Sequence, residues 1–76
     1  MPVVYRQDGF NVQMWPNDHP PPHVHVIRAA GVAVINVDTL TIRRNEGMDR
    51  RNLSRALDIV VDLQEFLLAK WKELHG

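Results

Sequence analysis

Cysteine is absent from the 76 residues, so there is no disulfide framework and no thiolate metal ligand. Long apolar runs are missing too. None approaches the ~20 residues of a membrane span, and Met1 to Phe10 lacks the charged-then-apolar pattern of a secretory signal. The expectation is a cytoplasmic protein without a membrane partner. An excess of either charge is also lacking: nine Lys+Arg balance nine Asp+Glu, so no global field draws in a polyanion. There is no internal repeat, and the one biased stretch is a run of prolines.

What is present is enough for one hydrophobic core. Residues 1–76 read as a single domain, and hydrophobic residues at 45% against 24% charged place the chain with globular proteins. Domains this small sit near the lower limit for folding without staples, so burial against a second copy or a small protein partner is expected to add stability.

Val3 to Arg6 and Phe10 to Trp15 flank an Asp-Gly pair, the signal of a β-hairpin. Side chains alternate along a strand, so Phe10, Val12 and Met14 share the prospective core face. Four prolines between Pro16 and Pro22 remove ladder donors and make that segment a connecting loop. His23 to Arg28 and Val32 to Val37 form a second hairpin about Ala29, Ala30 and Gly31, and Leu40 to Arg43 is a short fifth strand or an approach to the helix. From Arg50 to His75 apolar residues step by three and four through Leu53, Ala56, Val60, Leu63, Leu67, Trp71 and Leu74, which predicts one amphipathic helix with Asp49 as N-cap and Gly76 at its stop. The expected fold is α+β: a small antiparallel sheet of four to five strands covered on one face by one long C-terminal helix. Val12, Val24, Val26, Leu53, Val60, Leu63 and Leu67 are expected in the core. The apolar side of the helix is wider than one seam needs.

The unusual segment runs from Asn17 to Val26. His23 and His25 lie two apart in a strand, so both imidazoles project from one face ~6.6 Å apart along the backbone. His19 precedes three prolines, and Asp18 adds a carboxylate. Three roles are open. The histidines can bond carbonyls that the prolines leave without partners, as structural side chains. Asp18, His19, His23 and His25 can form an open divalent-metal site, although no strong zinc signature is matched. Or His23 and His25 can act as acid and base in phosphodiester cleavage, with Arg50 or Arg51 on the phosphate. No cofactor is otherwise expected.

Arg43, Arg44, Arg50, Arg51 and Arg55 fall within thirteen residues and are candidate phosphate ligands. Arg50 and Arg51 oppose the macrodipole at a helix N-terminus, a conflict that an anion there would relieve; the simpler alternative is that these side chains point into water. Nucleic acid is therefore kept open as a partner. Trp71 reads as core, and Trp15, beside the loop, reads as core or as a stacking surface.

The string Asn17-Asp18-His19-Pro20-Pro21-Pro22-His23-Val24-His25-Val26 resembles the bacterial domain of unknown function family 4160. Asp38-Thr39-Leu40 and Leu67-Leu68-Ala69-Lys70-Trp71 also fit that family's pattern. The resemblance singles out Asn17, Asp18, His19, Pro21, Pro22, His23 and His25 as motif positions. It implies no established activity. Members are small proteins often encoded beside another small protein, which is similar to toxin–antitoxin pairs, an associational argument. The leading expectation is a partner-binding component of a two-protein module of toxin–antitoxin type. A histidine-dependent RNA- or phosphodiester-cleaving enzyme and a metal-binding hydrolase are the alternatives, so the sequence leaves enzymatic activity open.

Overall fold

The computed structural model describes residues 2–75. Five strands, β1 (Val3–Gln7), β2 (Phe10–Gln13), β3 (His23–Arg28), β4 (Gly31–Asn36) and β5 (Thr41–Glu46), precede helices α1 (Arg50–Asp62) and α2 (Gln64–His75). All strands pair antiparallel in chain order, which leaves β1 and β5 as edges. Gly76 lies outside the described residues.

Local chemistry accounts for the connections. Asp8 and Gly9 both take positive φ, 49° and 81°, between the paired Gln7 and Phe10. That is a primed two-residue turn, whose twist matches the strands it joins. Gly31 is required by a close approach: a Cβ there would lie 3.0 Å from the Met48 backbone. Asp49 caps α1 by accepting a 2.7 Å hydrogen bond from the Asn52 amide.

Phe10, Val12, Met14, Val24, Val26, Ala33 and Ile35 form the sheet's buried face, and Ala56, Ile59, Val60, Leu67 and Trp71 cover it from the helices. Leu53 and Leu63 pack on this core but stay half-buried, Leu53 in the first turn of α1 and Leu63 at a break between the helices. No helix among the described residues is long and apolar enough to cross a membrane.

The expected single helix over residues 50–75 is corrected to two. A straight helix of that length would measure ~39 Å, more than the molecule's longest extent of 34 Å. A six-residue strand gives only ~20 Å of sheet to cover. Leu63 leaves helical geometry at φ −105° and ψ 13°, and the Gln64 side-chain amide then donates 2.8 and 3.3 Å hydrogen bonds to the Val37 and Asp38 carbonyls. α2 thereby starts at the end of β4. It passes the first residue of β3, where Trp71 meets His23, and finishes where Lys70, Glu73 and Leu74 line a groove with Pro2, Met14 and Trp15. α1 covers the face of the sheet and α2 closes one of its ends.

Candidate metal centre

The loop between β2 and β3 lies at the end closed by α2. It begins with a turn in which the Asp18 amide donates to the Trp15 carbonyl at 3.2 Å, with Pro16 and Asn17 in the middle positions. It ends where the Val37 amide donates to the Pro22 carbonyl at 2.9 Å, carrying the β3–β4 pairing one residue beyond the ladder. Asp18 is thus turned back over the start of β3.

Alternation puts His23 and His25 on one face of β3, and the Nε2 atoms of both rings approach Asp18. His23 Nε2 lies 3.3 Å and His25 Nε2 3.6 Å from Asp18 Oδ2. Two ligands each ~2.1 Å from a tetrahedral ion are themselves about 3.4 Å apart, and the two observed separations bracket that figure. The three donor atoms all lie within 4.8 Å of one another. The His23 side chain is 7% exposed, His25 24% and Asp18 27%, so the cluster is sheltered with one side open.

Hydrogen bonding sets how the rings present themselves. His23 Nδ1 is 2.9 Å from the Pro21 carbonyl, which can only accept, so Nδ1 carries the proton. In the neutral ring Nε2 then carries the lone pair, 3.3 Å from Asp18 Oδ2. A backbone carbonyl on the far nitrogen is how metal-binding histidines are usually oriented. Asp18 Oδ2 is itself buried without a hydrogen-bond partner. A proton on one ring would satisfy that oxygen in part; a divalent ion would satisfy it and both rings together. Burial holds the His25 imidazole below its ordinary value of 6.5, helped by the neighbouring charges of His23 and Arg44 and opposed by Asp18.

The other candidate residues divide. His19 is exposed and outside the cluster. Asn17 and Pro21 are exposed on the loop, and Pro22 is half-buried. Arg50 and Arg51 begin α1 next to Met48, which packs on Gly31 at the opposite end of β4 from the site, so the structure does not bring them to the histidines. The anion at that helix terminus is the Asp49 carboxylate. Arg55 lies 3.9 Å from Asp8 and over the Phe10 ring at 5.3 Å. Arg43 and Arg44 stand on β5.

Two features had no signal in the sequence, whereas a proline carbonyl on the His23 ring, here that of Pro21, was among its expectations. Trp71 covers that ring at a centroid distance of 5.5 Å and is backed by His75, stacked at 3.6 Å. Asn36, cross-strand partner of His23, accepts a 3.0 Å hydrogen bond from Arg43 Nε. Trp71 is buried as expected, whereas Trp15 is 42% exposed.

Compared with known protein families, residues 9–72 match the model described as Domain of unknown function (DUF4160). No curated protein and no solved structure matches the chain.

Proposed function

Because the chain belongs to this family of domains of unknown function, whose description names no activity, we propose that it is a divalent-metal-binding domain in which Asp18, His23 and His25 hold the ion. The carrying observation is the convergence of one carboxylate oxygen and two imidazole nitrogens within 4.8 Å of one another, the oxygen lying 3.3 and 3.6 Å from the two nitrogens and buried without a hydrogen-bond partner. Two histidines and one carboxylate leave coordination positions for water or substrate, and an ion in such a site activates water for hydrolysis. Calorimetry with zinc, manganese and nickel tests this reading. One saturable site is expected, retained in His19→Ala and lost in Asp18→Asn and His25→Ala. The absence of saturable heat with all three ions would remove the proposal.

A second reading, a partner-binding component of a two-protein module, is supported by apolar surface. Trp15 and Leu74 are exposed at the groove between the sheet and α2, and Val61 and Phe66 are exposed elsewhere on the helices. Co-expression with the neighbouring gene product followed by size exclusion tests it, and elution of the two proteins apart would count against it.

A further inference from the structure

We propose that the open side of the metal centre receives a phosphate group, bound between the ion and the guanidinium groups of Arg43 and Arg44. The proposal rests on the metal-binding reading and adds the class of ligand. Directly paired residues of neighbouring strands share a face, so the register places Gln13, His25, Val34 and Arg44 in one row across β2, β3, β4 and β5. At 4.7–4.9 Å per strand, Arg44 starts ~9.6 Å from His25, a gap that an extended arginine side chain largely covers.

A bulge brings the second arginine to the same face. The β4–β5 register shifts between Val34, paired with Arg44, and Ile35, paired with Ile42, which leaves Arg43 as the extra residue. Without the shift Arg43 would project towards α1; with it, Arg43 Nε donates to the Asn36 side chain in the row that contains His23. Asn36 is fixed in turn by its 3.1 Å hydrogen bond to Thr41. Bulges re-aim side chains in this way beside functional sites.

Both arginines keep their terminal nitrogens free. Arg43 uses Nε on Asn36, Arg44 has Nε 3.7 Å from Glu46, and neither makes another hydrogen bond or ion pair among the described residues. Planar guanidinium forks with unused donors suit the oxygens of a phosphate, and a divalent ion would take the oxygen facing His25. The chain has no net charge to attract a polyanion at long range, so recognition falls to these local groups.

The test is calorimetry in two stages on the full chain: zinc is titrated first, then phenylphosphonate, a non-hydrolysable phosphate analogue. Wild type and Arg43→Ala/Arg44→Ala, whose substituted residues are exposed and away from the core, should both take up one zinc ion, and the phosphonate titrations are compared at saturating zinc. Phosphonate affinity should be zinc-dependent and should fall about tenfold for each arginine removed, the size of one charge-assisted hydrogen bond. Separate titrations with a nucleoside monophosphate and a short single-stranded oligonucleotide identify the source: tighter binding of the monophosphate points to small esters, and tighter, salt-sensitive binding of the oligomer to nucleic acid. Failure of wild type to take up zinc would refute the metal reading and this proposal with it. Zinc uptake with phosphonate binding indifferent to the arginines, or to zinc, would refute this proposal alone.

Discussion

On the proposed metal reading, zinc should stabilise the folded chain strongly, because Asp18, His23 and His25 are brought together only by folding. Asp18 belongs to the loop after β2, whereas His23 and His25 belong to β3, and the turn at Pro16 and Asn17 carries the carboxylate back over the strand. An ion that binds the native state and not the unfolded one adds about 2.7 kcal/mol at a free concentration of 100 times its Kd. A domain of this length gains about 4–8 °C per kcal/mol, so Tm should rise by about 10–20 °C. Asp18→Asn removes one of the proposed ligands, which should cost about 100-fold or more, the upper end of what loss of an outer orienting group costs. At the same zinc concentration the variant would then gain no more than about 0.4 kcal/mol, or about 3 °C. Thermal unfolding followed by circular dichroism, with zinc and with chelator, reads both values. His19→Ala should keep the wild-type shift. A wild-type Tm indifferent to zinc, or an equal rise in Asp18→Asn, would show that these three side chains do not form the site.

Much of the architecture was legible because its causes are local. The Asp-Gly turn and the alternation of Phe10, Val12 and Met14 specify a hairpin and its buried face without reference to the rest of the chain. The break at Leu63 was hidden for the opposite reason. Stepping by three and four continues through Val60, Leu63, Leu67 and Trp71 across the break, since periodicity records which side of a helix is apolar and not whether there is sheet left beneath it. The same limit applied at the site. Spacing placed His23 and His25 on one face, but whether the loop turned Asp18 or His19 towards them depends on the turn from Trp15 and on which carbonyl meets each ring. That Arg43 and Arg44 share the histidines' face depends on one extra residue in β5, and a bulge leaves no mark on an exposed polar strand. Conversely, the cluster of five arginines looked like one feature in the sequence, and the fold distributes it between β5 and α1.

Three further outcomes are expected. Leu67→Ala should cost about 2–5 kcal/mol in urea denaturation, because the side chain is fully buried beneath α2; a loss under 1 kcal/mol would contradict that packing. Gly31→Ala should cost about 1–3 kcal/mol, since its Cβ would press on the Met48 and Gly47 backbone rather than on a side chain that can move aside; unchanged stability would show that the Gly47–Met48 segment shifts freely. The metal-free chain, held in chelator, should lose stability on acidification. The folded state keeps His25 neutral below its ordinary value of 6.5, so below that pH the unfolded state binds more protons. The His25 contribution is therefore fully present above pH 6.5 and is lost as pH falls from there through the folded value. Urea midpoints measured between pH 7.5 and 5 should fall more steeply in wild type than in His25→Gln, with Asp18, His23 and Arg44 unchanged in both. Equal slopes in the two proteins would mean that His25 is free to take up its proton in the fold, and that its burial beside Asp18 is not what sets its charge.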